Sequence, residues 1–420
     1  MIENGSIVEN LEITDIAFGG DGVARTEDGA VFFIPFTAIG EIVTVQVTSA
    51  RKNFFKADVV SIQKSSDARE TPVCKHFGRC GGCVYQHMNY EAELAAKRKQ
   101  FQDVMSRIGK FEDFPELECF LPSPVRYGYR NKIRLEPISD TRSSVRGTAP
   151  QKTSVPPASC SYGFCARDNR TFFPVSQCHL AQAPLNAAIR GALRSEWGIQ
   201  NAKRNKPYPL TLRVTSKGET CFYYGFAPSR LPWLKETILE KNASVPAGSF
   251  WQVNPEVANL LLSHVREWAA ELKLEVLVDA FAGVGTFTLA LGDLFRYRAI
   301  IESDKQAVEA ARFNLEQAGM KASFIAKTTE SSLGRVLSSI DGAKTLVVID
   351  PPRTGCEPET LRLLAKFKPA AILYVSCNPT TLARDLKQLC EGDFKPVRAA
   401  AFDMFPATAH FESAVLLQRM

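Results

Sequence analysis

Leu274–Phe295 reads LEVLVDAFAGVGTFTLALGDLF, and two periods meet in it. LEVLVDAF is a near-continuous apolar run, the pattern of a strand covered on both faces. TFTLALGDLF reads as a helix. Between them Gly283 and Gly285 stand where small residues let a backbone approach a ligand. Strand, glycine turn and helix form the opening unit of a doubly wound α/β sheet.

The alternation continues outward from that unit. YRAIIES (297–303) is strand-like, and KQAVEAARFNLEQAG (305–319) is an amphipathic helix ending at Gly319. KTLVVIDPP, AAILYVSC, VRAAAFDMFP and ESAVLLQRM read as further strands, with TLRLLAKF and TLARDLKQLC as helices. Residues 246–420 are therefore predicted to be a Rossmann-like α/β domain with a parallel sheet and ligands at the carboxyl ends of its strands. Glu302 ends the strand after the glycine turn, 23 positions beyond Asp279. That is near the spacing at which an acid holds a ribose diol. A dinucleotide would want a fuller G-x-G-x-x-G, and Phe287-Thr288 stands where its third glycine falls. S-adenosylmethionine has no pyrophosphate and suits the shorter turn; a purely structural loop is the alternative.

Two later strand ends carry chemistry. In VVIDPPRTG, Asp350 leaves a hydrophobic strand, and Pro351-Pro352 stiffen the exit. Arg353 follows where enzymes that methylate exocyclic amines often place an aromatic, which argues against amine chemistry. In LYVSCNPTTLARDL (373–386), Cys377 ends a strand just before a rigid turn. Methylation at a pyrimidine C5 needs such a thiol, because that carbon is a poor nucleophile until a thiolate adds to C6. It also needs a base to remove the C5 proton afterwards. Glu412, at the start of the terminal apolar strand, is the candidate base. A buried structural thiol and a solvated strand-end carboxylate are the alternatives.

Composition sets the frame. The 420 residues are 45% hydrophobic and 23% charged, as in soluble multidomain proteins. No apolar run reaches membrane-spanning length, and the start, MIENGSIVEN, lacks a secretory pattern, so a cytoplasmic protein without a membrane partner is expected. The net charge of +6 is uneven: residues 66–245 carry 27 basic and 16 acidic side chains, whereas residues 1–65 carry 5 and 9. A positive middle suits a polyanion, with a solvated basic face as the alternative. Arg126, Arg130, Lys132 and Arg134 are its candidate contacts, unless they pair with local acids.

Residues 1–65 read as short strands divided by glycine turns, a small closed barrel of the oligonucleotide-binding type. Its RKNFFK (51–56) suits either a base-stacking patch or a hairpin with core phenylalanines. Residues 66–245 are predicted to be an α+β central domain; its helix near 90–111 packs there or on the catalytic domain. Ser139–Ser159 is polar and proline-rich and reads as a mobile loop. CKHFGRCGGC spaces Cys74, Cys80 and Cys83 as C-x5-C-x2-C, which suits a soft metal centre. Spacing alone leaves zinc open, as it leaves the fourth ligand among Cys119, Cys160, Cys165, Cys178 and Cys221.

Together SCNPTTLARDL, DPPRTG, FWQVNP and PATAHFESAVLL resemble the RNA uracil-5-methyltransferases, the 23S ribosomal RNA and tRNA m5U enzymes. The likeness spans essentially the whole chain, since residues 1–65 also resemble the TRAM domain that often precedes this enzyme. It implies Cys377 as nucleophile, Glu412 as base, and S-adenosylmethionine contacts at Gln252, Phe281, Thr286, Glu302 and Asp350. Two departures show: Ala282 where many members have cysteine, and Thr286 where asparagine is common. The resemblance also implies a [4Fe-4S] cluster on Cys74, Cys80, Cys83 and Cys178, the last following Gln177 as in rRNA-type members. The implied substrate is 23S rRNA; a monomer is the default expectation, which the sequence itself does not read. tRNA methylation and a non-catalytic RNA-binding iron–sulfur protein are the rivals. Cytosine-5 methylation lacks its usual proline-cysteine surroundings here.

Overall fold

The structure, a computed structural model, describes residues 2–138 and 161–420. The proline-rich Ser139–Ser159 and Cys160 fall outside the described residues. β1 (Ile7–Ile16), β2 (Asp21–Arg25), β3 (Val31–Pro35), β4 (Ile42–Ala50) and β5 (Phe55–Lys64) close into a barrel in the order β1-β2-β3-β5-β4. Alternate residues such as Leu11, Ile13, Phe32, Ile34, Val43 and Val45 fill it. β2, DGVAR, is too short and polar to signal itself in the sequence. Its Gly22 is required: a Cβ there would lie 2.0 Å from the Thr37 hydroxyl. Phe55 stacks on Phe32 and Phe54 meets Phe33 edge-on, so RKNFFK is a hairpin with packed phenylalanines.

α1 (Tyr90–Arg107) starts at Asn89, whose side chain accepts the Ala92 amide. β6 (Leu117–Leu121) follows. A five-stranded sheet in the order β11-β10-β7-β8-β9 is built from β7 (Lys132–Ile138), β8 (Ser161–Cys165), β9 (Phe172–Pro174), β10 (Leu210–Val214) and β11 (Thr220–Tyr224). α2 (Ala183–Arg194) and α3 (Glu196–Ala202) lie between β9 and β10, and α2 packs on the sheet. β12 (Leu234–Ile238) and β13 (Lys241–Val245) pair with each other and lead into α4 (Pro255–Leu272).

The remaining elements are β14 (Val276–Ala280), α5 (Thr286–Leu291), β15 (Tyr297–Glu302), α6 (Lys305–Gln317), β16 (Ser323–Ala326), α7 (Thr329–Ser338), β17 (Thr345–Ile349), α8 (Pro358–Phe367), β18 (Ala371–Ser376), α9 (Pro379–Cys390), β19 (Phe394–Phe402) and β20 (Glu412–Arg419). They form an eight-stranded sheet, β16-β15-β14-β17-β18-β20-β19-β6, with an apolar core on each face. The sheet is mixed, whereas the sequence predicted it parallel. β14 to β18 are parallel, but β20 runs antiparallel to both β18 and β19. Residues 403–411 are too short a link for a helical crossover, so β19 and β20 must run antiparallel. β6 adds an eighth strand parallel to β19, and α1 packs on α9, so both lie against the catalytic sheet.

Candidate active site

The glycine turn is held open from below. Buried Asp279 accepts the Thr288 amide at 3.0 Å and its hydroxyl at 2.7 Å, which fixes the first turn of α5. Gly283 and Gly285 take φ of +55° and +86°, and a Cβ on Gly283 would meet nothing within 4 Å. The turn therefore presents a free backbone face. Glu302 accepts the Gly283 amide at 2.8 Å and the Asp304 amide at 2.8 Å, which aims its carboxylate at that face. Phe281, at φ +78°, and Thr286, the first residue of α5, flank it. Gln252 lies in the loop before α4; its carbonyl accepts from the Asn131 side chain at 2.9 Å, which ties this loop to the central segment. Phe281, Glu302 and Asp350 stand at the carboxyl ends of β14, β15 and β17, with Thr286 at the start of the helix after β14; ligands of such sheets bind at these ends. A cavity of about 910 Å3 lined by Glu275, Arg296 and Lys344 lies at the opposite ends of the strands.

On the same rim stand a thiol and two carboxylates. Ser376 at the end of β18 is opposite Ser413 at the start of β20, so Cys377 and Glu412 come together. The antiparallel run of β20 makes this possible; a parallel β20 would put Glu412 at the far end. Cys377 is half-buried and Glu412 buried. Burial, then Glu412 and Asp350, push the Cys377 thiol up to about 12, against the pull of Arg353. Glu412 is held well above the usual carboxylate range by burial and by Asp350, against Arg353, and its Oε2 has no hydrogen-bond partner. Asp350 is raised to about 7 by burial and by Asp279, which burial in turn raises to about 6. His410 is lowered to about 4 by burial and by the cations Arg353, Lys97 and Arg130.

The loop carrying Arg353 is fastened to α9. The Arg353 carbonyl accepts from the Asn378 side chain at 3.0 Å and the Thr381 hydroxyl at 3.3 Å. Asn378 also caps α9 by accepting the Thr380 amide at 3.1 Å, and Pro379 takes the first helical position. The SCNP turn thus locks a thiol-bearing strand end to the double-proline loop. Sequence reading missed Thr288 and His410, and it weighed Arg353 only as a missing aromatic. Thr288 had no local signal; for His410, the signal was a histidine two residues before a buried glutamate.

Cys74, Cys80, Cys83 and Cys178 gather in one region. Burial raises Cys80, and Cys178 and Cys74 add to it; burial raises Cys83 to about 12, with Cys178 and Cys80 adding. Among the described residues, however, no three His, Cys, Asp or Glu side chains come close enough to hold a metal ion, so the predicted metal centre is not formed at single-ion distances. Of the basic candidates, Arg126 is not free. It bonds Glu93 at 3.0 Å, Glu70 at 3.2 Å, and the carbonyls of Tyr85 and Met88. Arg134 is exposed and pairs with Glu136 at 2.9 Å. Lys132 is lowered to about 8 by burial and by Arg213 and Arg134.

A glycine turn with an acid at the end of the next strand, on a mixed doubly wound sheet joined to an N-terminal barrel, suits a methyltransferase of the S-adenosylmethionine-dependent class. Residues 240–420 match the model of the tRNA (uracil-5-)-methyltransferases, and residues 3–60 match the TRAM domain. An uncharacterized RNA methyltransferase of Synechocystis is 32% identical, over 99% of this chain and 96% of its own length. One from Porphyromonas gingivalis is 30% identical over 97% and 99%. The tRNA (uracil-54, C5)-methyltransferase of Pyrococcus abyssi, solved with S-adenosyl-L-homocysteine, shares the fold with a TM-score of 0.68 at 23% identity, over 97% of this chain and 100% of its own. The chain belongs to the RNA (uracil-5-)-methyltransferase family; it is an S-adenosylmethionine-dependent enzyme that methylates RNA.

Proposed function

We propose that the enzyme methylates C5 of one uridine in 23S rRNA, with Cys377 as nucleophile and Glu412 as base. The observation that carries this is the antiparallel β20, which sets Glu412 beside Cys377 on the ligand rim. The uridine leaves its stack, at a cost of about a few kcal/mol. Cys377 loses its proton to solvent across its half-buried face, and Arg353 stabilises the thiolate. The sulfur bonds C6, and the C5=C6 pair moves toward the C4 oxygen. S-adenosylmethionine, held by Gln252, Phe281, Thr286, Glu302 and Asp350, supplies the methyl group that C5 takes up. Glu412, ionised by loss of its own proton to solvent before this step, removes the C5 proton; the double bond re-forms, the C6–S bond breaks and the thiolate returns to Cys377. Glu412's high proton affinity makes its ionised form a strong base at this step.

RNA carrying 5-fluorouridine tests this, because fluorine cannot leave as a proton. With S-adenosylmethionine it should trap a covalent complex that survives denaturant, and Cys377→Ala should abolish it. Trapping by fluorocytidine RNA, or trapping that persists in Cys377→Ala, would overturn the proposal. tRNA is the second reading. The family model bears its name, and the Pyrococcus abyssi enzyme named for tRNA matches this chain end to end, so overall architecture does not separate the two RNAs. Mapping 5-methyluridine in both RNAs of a deletion strain decides between them.

The same proposal places a structural [4Fe-4S] cluster on Cys74, Cys80, Cys83 and Cys178. Its support is an all-thiol donor set, the mutual charge effects among these cysteines, and the family resemblance. Iron and sulfide content of protein purified without oxygen, in wild type and Cys178→Ser, checks it. A cytoplasmic monomer completes the proposal, to be read by fractionation and gel filtration.

A further inference from the structure

Residues 403–411 join β19 to β20 and so deliver Glu412, yet they are held from outside that sheet. Lys97 of α1 donates to Asp403 Oδ1 at 2.7 Å and to the Phe405 carbonyl at 3.3 Å. Tyr90 of the same helix donates to Asp403 Oδ2 at 2.8 Å. Glu93 accepts Lys97 at 2.7 Å and the Ala407 amide at 2.6 Å. The Ala407 carbonyl accepts the amides of Val84 and Tyr85 at 2.9 and 3.2 Å, and Tyr129 donates to the Pro406 carbonyl at 3.1 Å. Lys97, Glu93 and Asp403 have fully buried side chains, and Arg126 balances the charge at two cations to two carboxylates.

Such a cluster is a weak route to stability, since packed apolar residues often serve as well, but its bonds are directional and specify one arrangement. An irregular link between strands would otherwise be among the more mobile parts of a fold. We infer that Lys97 is a positioning residue that clamps residues 403–411 so that Glu412 faces Cys377. The inference rests on Glu412 acting as the base. Only the step that uses Glu412 depends on the clamp: C5 gives its proton to the carboxylate, the C5–H pair becomes the C5=C6 bond, and sulfur departs. Attack by Cys377 and methyl uptake do not require it.

The test uses the full-length protein, S-adenosylmethionine and RNA with an ordinary uridine at the target. Lys97→Met should slow release by about 100-fold, the cost of roughly an ångström of misplacement, and accumulate the methylated covalent complex with the equilibrium Kd for RNA unchanged. Lys97→Arg should restore part of the rate. Tyr90→Phe and Tyr129→Phe each remove one hydroxyl from the clamp; they should slow release several-fold, and they decide the matter should Lys97→Met not fold. Folded Lys97→Met that releases at the wild-type rate overturns the inference. So does a parallel loss of complex formation and RNA binding, or wild-type release in both tyrosine variants. Glu412→Gln is run beside them. If it accumulates no complex, the base assignment fails; if it does and Lys97→Met does not, only the clamp fails.

Discussion

Glu93 and Glu412 are both buried glutamates that serve the same link between β19 and β20, and the protein treats them oppositely. Glu93 has both oxygens engaged, by Lys97, the Ala407 amide and Arg126. Glu412 has an orphan Oε2 and a second carboxylate, Asp350, as its neighbour. Leaving a buried acceptor unpaired costs about 1–3 kcal/mol. A fold tolerates that where a substrate or a reaction uses the group, so the contrast separates a group that builds the site from one that works in it.

Replacing Glu412, and the cation that serves Glu93, by neutral side chains sharpens that contrast most. Glu412→Gln should lower turnover by about 10^2- to 10^4-fold, the range of a lost general base, while leaving the melting temperature unchanged or higher. Methyl transfer to RNA and a thermal scan read the two effects. Lys97→Met should instead destabilise the fold by about 3–5 kcal/mol, because two buried carboxylates lose their shared cation. Denaturant titration measures it. Equal stability losses in the two variants would erase the distinction.

These differences were unequally legible in the sequence. Most strands and helices of residues 274–420 follow from their apolar patterns, although β16 and α7 were not read; Cys377, Glu302 and Asp350 follow from their places at strand ends. Strand direction did not follow, because ESAVLLQRM is apolar whichever way it runs; only the short link before it carried that information. α1 was visible, but its partner was not. Glu93 and Lys97 stand four apart on a helix and look like a solvated surface pair, whereas Asp403 lies 306 residues beyond Lys97. β6 was missed because LECFL has too few residues to show a period. Within the basic run, the acids that pair Arg126 are beside it in space but remote in sequence, so which of the two expected roles it takes could not be read from the run alone.

Acid on the working rim sets a pH dependence of its own. Asp350 is raised from 3.8 to about 7, so the folded state holds its proton more tightly than the unfolded chain. Its stability contribution is complete below about pH 4 and is lost as pH rises through about 7. Asp350→Asn should flatten that decline, gaining about 2 kcal/mol at pH 8 once solvent screening is allowed for, and nothing at pH 4. Urea midpoints at the two pH values check the sign; a larger gain at pH 4 would contradict it. His410 works in the other direction, since its lowered value makes stability fall as pH drops from about 6.5 toward 4.

The smallest effect lies where the clamp meets the backbone. Ala407 sits at φ +64°, a left-handed conformation that costs a residue with a Cβ about 1–2 kcal/mol. Ala407→Gly removes that strain, but it adds about 0.5–1 kcal/mol of unfolded-chain entropy. It also uncovers one methyl, packed beside Tyr129 and Leu180, worth about 0.8 kcal/mol. The three nearly cancel, so the variant should change stability by less than about 0.5 kcal/mol. Gly283→Ala on the rim makes the reciprocal change with no packing to offset it. Its φ is +55° and a Cβ there meets no neighbour, so the strain stands against only the entropy gain, a net loss of up to about 1 kcal/mol. A clear stabilisation in Ala407→Gly would mean that the methyl packs poorly and that the clamp holds this residue through its amide and carbonyl alone.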